Sequence, residues 1–467
     1  MSTPATESRV PSPDALPRPE PTAPRPYHFP RFERRTLPNG LRLVVAPVHK
    51  LPVISVAAVI DAGATCDPVG QEGLASLTAR VLTEGTTSLD AVAFTRRVEG
   101  LGTAVDAGAD WDAAVASMTV LTPRLADAFA LFADVLVRPA LPEREVERLK
   151  AERVADILQQ RTEPRGLADE TFDRVVYSAG SRYARPAGGS ETSVTALTRA
   201  DVAAFHAARY VPGATTLVIA GDVTVDAAER LAMEALGTWA GSAPPAPAVD
   251  DAPATRARRV HLVAKADAPQ SELRVGHVGV PRRTGDYFAV TVMNAILGGL
   301  FNSRVNMNLR EEHAYTYGAG SSFDWRVGAG PFDVSSAVQS EVTAAALREI
   351  LKEIDRIRAE PVLDSELSLA TSYLDGVFPI RYETTAAIAS ALANLVIYGL
   401  PDDYFDAYRD RVRAVTAEDV LAAARARLHP DELQIVVVGD SAAVRGELES
   451  LGAGDVVVHE PGVTDAA

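Results

Sequence analysis

The amino-acid sequence predicts an α+β protein built from two homologous domains, and three observations carry that expectation. The chain has 467 residues, 47% of them hydrophobic and 23% charged, a soluble composition too long for one ordinary core and suited to two domains of about 200 residues each. It also matches itself: Val194–Asp222 aligns with Val412–Asp440 without a gap and with 12 of 29 positions identical, where chance gives about two or three in an alanine-rich chain. Finally, both halves mix helical and strand patterning, the layer arrangement of an α+β fold.

Residues 1–30 are dense in proline, with no apolar stretch of the signal-peptide kind, and are expected to form a disordered tail. The first domain then runs over 31–241. Asn39-Gly40 is a turn signal, flanked by strands at Leu41–Ala46 and Val53–Ile60. Apolar residues recurring at three and four predict helices over Glu72–Thr83, Leu89–Glu99, Arg124–Val137 and Glu143–Arg161. In each repeat copy a threonine (Thr198, Thr416) stands three residues before an aspartate (Asp201, Asp419) at the start of an alanine-rich helix. The hydroxyl is placed to cap an exposed N–H, and the carboxylate favours the positive end of the helix dipole. A proline ends each helix, and the β-branched runs Thr215–Ala220 and Leu433–Val438 read as buried strands closed by Gly-Asp. Residues 242–258, rich in proline and alanine, are the expected linker. The second domain takes 259–455, and 456–467 is a tail.

The formal net charge of -16 argues against nucleic acid or an anionic lipid surface as partner, since both would be repelled. The longest apolar run, Ala386–Leu400, is fifteen residues with Ser390 and Asn394 inside it, short of a bilayer span; the expected location is cytoplasmic. A single cysteine, Cys66, excludes an internal disulfide and a thiolate metal cluster. The eight histidines include no two at the spacing with which one helix ligates a metal.

Two segments carry chemistry. Residues 73–86, Gly-Leu-Ala-Ser-Leu-Thr-Ala-Arg-Val-Leu-Thr-Glu-Gly-Thr, resemble the signature helix of the pitrilysin (insulinase-like) family of zinc peptidases, in which Gly-Leu-Ala is followed by His-x-x-Glu-His and, after a short apolar stretch, Gly-Thr. Two histidines four apart reach one zinc ion, and the glutamate between them takes a proton from bound water. Here those positions are Ser76, Ala79 and Arg80: a poor ligand, a side chain that is no base, and a fixed cation that opposes a divalent one. No zinc site is expected in this chain. Glu152 lies in the region of the family's third ligand.

The second segment, Leu309-Arg310-Glu311-Glu312-His313-Ala314-Tyr315-Thr316-Tyr317, preceded by Gly298-Gly299, is similar to the other family signature, an arginine followed seven residues later by a tyrosine. The resemblance assigns substrate binding and transition-state support to Arg310 and Tyr317, with Tyr315 as competitor for the latter. The spacing predicts that a turn between a helix end and a strand start directs both polar tips to one point, where they would donate to a peptide carbonyl. Glu311 and Glu312 read as a solvated helix end, and Arg282-Arg283, followed by Gly285, as two solvated basic residues by a turn in preference to an anion site.

The resemblance spans residues 37–440 and implies two pitrilysin-like domains, each a mostly antiparallel sheet packed with helices. It further implies the non-metal subunit of a heterodimeric zinc metalloendopeptidase. On that expectation the chain holds no cofactor, its partner is a zinc-motif-bearing subunit that carries the zinc, and its substrates are unfolded peptides. The alternative is a catalytically silent structural or peptide-binding protein of the same fold.

Overall fold

The computed structural model describes residues 25–245 and 248–459. Twelve strands form two six-stranded sheets among them. In the first half these are β1 (Glu33–Thr36), β2 (Arg42–Pro47), β3 (Val53–Ile60), β4 (Val105–Ala109), β5 (Ala114–Leu121) and β6 (Thr215–Gly221), ordered β1-β2-β6-β3-β5-β4. In the second they are β7 (Arg259–Ala264), β8 (Gln270–Val278), β9 (Ala319–Phe323), β10 (Pro331–Gln339), β11 (Gln434–Gly439) and β12 (Asp455–His459), ordered β12-β7-β11-β8-β10-β9.

The five strands β2-β6-β3-β5-β4 repeat as β7-β11-β8-β10-β9, with β2–β6 and β7–β11 parallel and the other neighbours antiparallel. The duplication read from the sequence is thus a duplication of sheet topology. It fails at the outer edge, where β1 lies antiparallel to β2 but β12 parallel to β7. The matched segments end on β6 and β11, which are central in their sheets and buried at every position, as β-branched runs without alternation require. Both threonine caps form: Thr198 and Thr416 accept from the backbone N–H of Asp201 and Asp419, whose carboxylates accept in return from the backbone N–H of each threonine, a reciprocal box.

Four helices of the first half match expectation within two residues: α1 (Leu74–Val81), α2 (Ala91–Glu99), α3 (Leu125–Val137) and α4 (Glu143–Thr162). A fifth, α5 (Pro164–Val176), leaves its own half and packs on β8 and β11 of the other. The Thr385–Ile397 helix does the reverse, packing on β3 and β6, where Thr385 Oγ1 is 2.9 Å from Ser55 Oγ. Each sheet is therefore covered on one face by its own helices and on the other by a helix lent by its homologue. The apolar run noted in the sequence is this lent helix. One stretch, Tyr287–Glu312, is long and apolar enough by length and composition to cross a membrane, and 56% of its most apolar window is buried inside the fold.

Two expected boundaries fall inside ordered structure, and the linker between the domains is held by hydrogen bonds. Within the expected disordered tail, Tyr27 and Phe29 pack on the second half: Phe29 stacks on Phe405 at 4.2 Å and meets Tyr382 edge-on at 5.4 Å. Residues 1–24 of that tail lie outside the described residues. The expected linker is pinned where it is described: Asp250 accepts from the Ser178 hydroxyl, and Asp251 accepts from the Ala329 N–H at 2.7 Å. The C-terminal tail begins inside β12, which pairs with β7 through His459. Proline-rich or short terminal sequences carry no periodicity, so their docking surfaces on distant residues are invisible in the sequence.

Candidate functional site

Helix α1 begins at Gly73, whose φ of +96° is left-handed and where an added Cβ would lie 2.8 Å from the Gly188 carbonyl oxygen, so only glycine fits. No local side chain caps this helix. Asp67 does so from outside, accepting from the N–H groups of Gly73 and Ala75 at 2.8 Å each, with Arg182 bound to the same carboxylate at 2.8 Å. Burial pushes the Asp67 carboxyl up, while Arg182 and the two N–H bonds pull it down. Sequence reasoning missed Asp67, which lies too far ahead of α1 to read as its cap.

The three degenerate positions sit as a helix dictates. Ala79 is 1% exposed, packed into the first-half core, while Ser76 and Arg80, four residues apart, are half-buried on one face. Arg80 Nη2 donates to Glu152 Oε2 at 3.2 Å. Glu152 is therefore in register with the motif, and its partner is a guanidinium. Beyond it lies a cation that sequence reasoning missed: Arg148 bridges Glu84 at 2.7 Å, Glu145 and Glu152, which raise its already high pKa further. A metal ion would meet one carboxylate already engaged by two guanidiniums, with no imidazole near it. These residues do not fit zinc, and among the described residues no group of three or more His, Cys, Asp or Glu is placed to hold a metal.

Arg80, Glu84, Arg148 and Glu152 form one wall of a cavity of about 780 Å³ between the two halves. All of β4 lines it, and Trp111, Trp325 and Tyr398 close the far side. Arg326, 3% exposed, backs this wall: its guanidinium lies 4.3 Å over Trp111 and 4.6 Å over Tyr183, with Asp324 as its ionic partner. Arg282, weighed above as solvated or anion-binding, is neither, because it is buried 3.6 Å over the Tyr287 ring and donates to the Tyr404 hydroxyl.

The second signature runs from a helix end to just before a strand start. Arg310 lies in a π-helical turn, Met307–Glu312, of a kind that recurs at functional positions. The chain then reverses through Ala314 at φ +55°, fixed by Tyr315 N–H donating to Leu309 O at 2.8 Å. Tyr315 turns inward against the core and His313, whereas Tyr317, two residues on, is 93% exposed. Tyr317 lines a separate cavity of about 720 Å³ beside β9. The Arg310 guanidinium rests 4.6 Å over the Phe301 ring and 3.4 Å from Glu311. Arg310 and Tyr317 make no hydrogen bond to each other among the described residues, as two donors directed at a third group need not. The left-handed Ala314 between them was announced by no local sequence signal.

Histidines distant in sequence do meet. His277 Nδ1–H donates to Val278 O at 2.8 Å while Nε2 accepts from the His429 N–H at 3.0 Å, an arrangement that fixes one neutral tautomer. Burial depresses the pKa of this ring to about 4. His261 lies between Gln434 and His459 and is likewise depressed to about 4.

A duplicated mixed-sheet fold with a metal motif emptied of its ligands defines a peptidase-like chain without a peptidase centre. The family model described as insulinase (peptidase family M16) matches residues 44–183, and that described as the peptidase M16 inactive domain matches residues 196–374. The chain belongs to the peptidase M16 family. It is 27% identical over 416 residues to an uncharacterized zinc protease of Mycobacterium tuberculosis, covering 88% of this chain and 93% of that one. It is 22% identical to a non-peptidase homolog of Helicobacter pylori, over 84% of this chain and 90% of the relative. It is 21% identical to the beta subunit of the mitochondrial-processing peptidase of Saccharomyces cerevisiae, over 87% and 91%, and so is homologous to a subunit of an M16 complex. The crystal structure of a peptidase M16 inactive domain from Pseudomonas fluorescens superposes with a TM-score of 0.82 at 27% identity, over 87% of this chain and 98% of that one.

Proposed function

We propose that this chain is the non-metal subunit of a heterodimeric zinc metalloendopeptidase of the cytoplasm. In this reading it shapes the peptide chamber and presents Arg310 and Tyr317 to a substrate held at the zinc of a motif-bearing partner subunit. The observation that carries the proposal is the Arg80–Glu152 pair: a guanidinium stands at the metal position, beside a cavity walled by helices and an edge strand. The exposure of Tyr317 also supports it, since a phenol directed outward is available to a second chain. Its role there is to donate a hydrogen bond to a peptide carbonyl, and that of Arg310 is to orient the same peptide and balance charge developing on its oxygen.

The test is assembly with a zinc-motif homologue from the same genome. Cleavage of an unstructured peptide should need both chains, and Arg310→Ala should lower kcat/KM by about 100-fold or more with assembly intact. If the partner cleaves equally well alone, the catalytic role falls. A second reading, a silent peptide-binding protein, is favoured by one observation: Arg310 is engaged by Phe301 and Glu311 and does not meet Tyr317. It predicts a stable complex with no change in cleavage on Arg310→Ala.

A further inference from the structure

Asn306 closes the short helical turn Arg304–Asn306, which leads directly into the π-helical turn of Arg310. It is 4% exposed, and its planar amide is engaged at both ends by backbone groups distant from each other in sequence. Nδ2 donates to the Phe301 carbonyl at 2.6 Å, and Oδ1 accepts from the Ala319 N–H at 3.0 Å. With donor and acceptor both engaged, the amide has one orientation.

Each of those backbone groups adjoins one member of the Arg310 and Tyr317 pair. The Phe301 ring is the platform under the Arg310 guanidinium, 4.6 Å from it, so the path of the loop at Phe301 sets where that charge rests. Ala319 opens β9 two residues after Tyr317, and Thr316, on the other side of Tyr317, donates to the Ala337 carbonyl at 2.7 Å. The exposed phenol therefore stands on backbone that is pinned before and after it. The π turn itself is anchored from its far side. Asn308, 3% exposed, donates to Glu349 and Glu353 at 2.9 Å each, one turn apart on the helix Thr343–Ala359. Its carbonyl accepts from the His313 N–H at 3.1 Å, the wide bond between residues five apart that defines a π turn.

We propose that Asn306 is the positioning residue of the Arg310 and Tyr317 pair. Its amide fixes the Phe301 platform relative to the start of β9, and so aims two donors that do not bond each other at one peptide carbonyl. Asn306 touches no substrate; it acts through the two groups it spaces. The demand on it is strict, because a misplacement of about 1 Å between a donor and a reacting atom costs about 100-fold in rate. The inference rests on the role given to Arg310 and Tyr317 above, and its test has two arms so that the two can fail separately.

The first arm is hydrogen exchange read by mass spectrometry on the full chain alone. Asn306→Leu, close in volume but with neither donor nor acceptor, should speed exchange about tenfold or more in both residues 300–303 and residues 317–319. Asn306→Asp, which keeps the acceptor and loses the donor, should loosen the first segment only. Loosening of a single segment by the leucine variant overturns the proposal. The second arm is peptide cleavage by the complex with a zinc-motif homologue. Asn306→Leu should lower kcat by about tenfold or more with KM within about twofold, and it should cost nothing further in the Arg310→Ala/Tyr317→Phe background. The same loss in both backgrounds would make Asn306 a stability residue and overturn the proposal. A wild-type complex that does not cleave would instead end the metalloendopeptidase reading, with the exchange arm still deciding whether Asn306 couples the two segments.

Discussion

The exchange of helices between halves predicts that the two domains unfold as one. Phe172 lies on α5, 5% exposed, in a cluster with Val263, Val436 and Val438 from β7 and β11, so its ring belongs by sequence to the first half and by packing to the second. Phe172→Ala removes a buried aromatic side chain and leaves a cavity, at a cost of about 3–5 kcal/mol. With an unfolding entropy of about 2.1 cal/mol/K per residue, 467 residues turn a loss of about 4 kcal/mol into a fall in Tm of about 4 °C if the chain melts as a unit. Differential scanning calorimetry reads this directly. Wild type and variant should each show one transition, displaced by that amount. A variant whose trace splits in two, or in which one half keeps its melting temperature, would refute the claim that the lent helices couple the sheets.

His277 is depressed from 6.5 to about 4 by burial, so the unfolded chain takes up the proton first as the pH falls. Stability is intact above pH 6.5 and declines until about pH 4, by about 3 kcal/mol for this group; His277→Gln should flatten the pH dependence of urea midpoints by that amount, and an unaltered slope would place the acid sensitivity elsewhere. Phe29→Ala should cost about 3 kcal/mol although it lies before the first strand, because its ring is 6% exposed between Phe405 and Tyr382; a shift under about 0.5 kcal/mol in denaturant unfolding would mean the strap is not docked in solution. The triple variant Ser76→His/Ala79→Glu/Arg80→His should release Glu152 and bind one zinc per chain by elemental analysis, with a melting temperature lowered by chelator; no retained zinc would show that Glu152 is out of register.

The physics behind what was legible differs by element. The caps at Thr198 and Thr416, strands β3, β6 and β11, and helices α1 to α4 rest on local rules of spacing and chemistry, and the structure follows them within two residues. The emptied motif was equally plain, because ligand chemistry belongs to residue type. What escaped depends on contacts between distant residues: Asp67 capping α1 with Arg182 behind it, α5 crossing to the other sheet, Phe29 crossing the second half, and histidines paired across strands. Arg310 and Tyr317 show the limit most clearly. Seven residues of spacing were right for a turn, but its left-handed residue, Ala314, had no signal in the sequence.

The identity of residue 80 is itself informative about the history of the site. Glu84, Glu145 and Glu152 converge on Arg148, so three negative charges meet one positive charge at a half-buried wall. Simple loss of a divalent ion from such a wall would leave carboxylates facing each other at reduced dielectric, where each unit pair at about 4 Å repels by about 4 kcal/mol at an effective dielectric of 20. A neutral residue at position 80 would not relieve that repulsion. Arginine does, because its guanidinium reaches Glu152 at 3.2 Å and stays charged at every physiological pH. The same replacement that forbids zinc therefore relieves part of that repulsion, and Arg80→Met should lose more stability than Ser76→Ala, by about 1 kcal/mol in matched urea titrations. Equal losses would mean that Arg148 alone satisfies the three carboxylates.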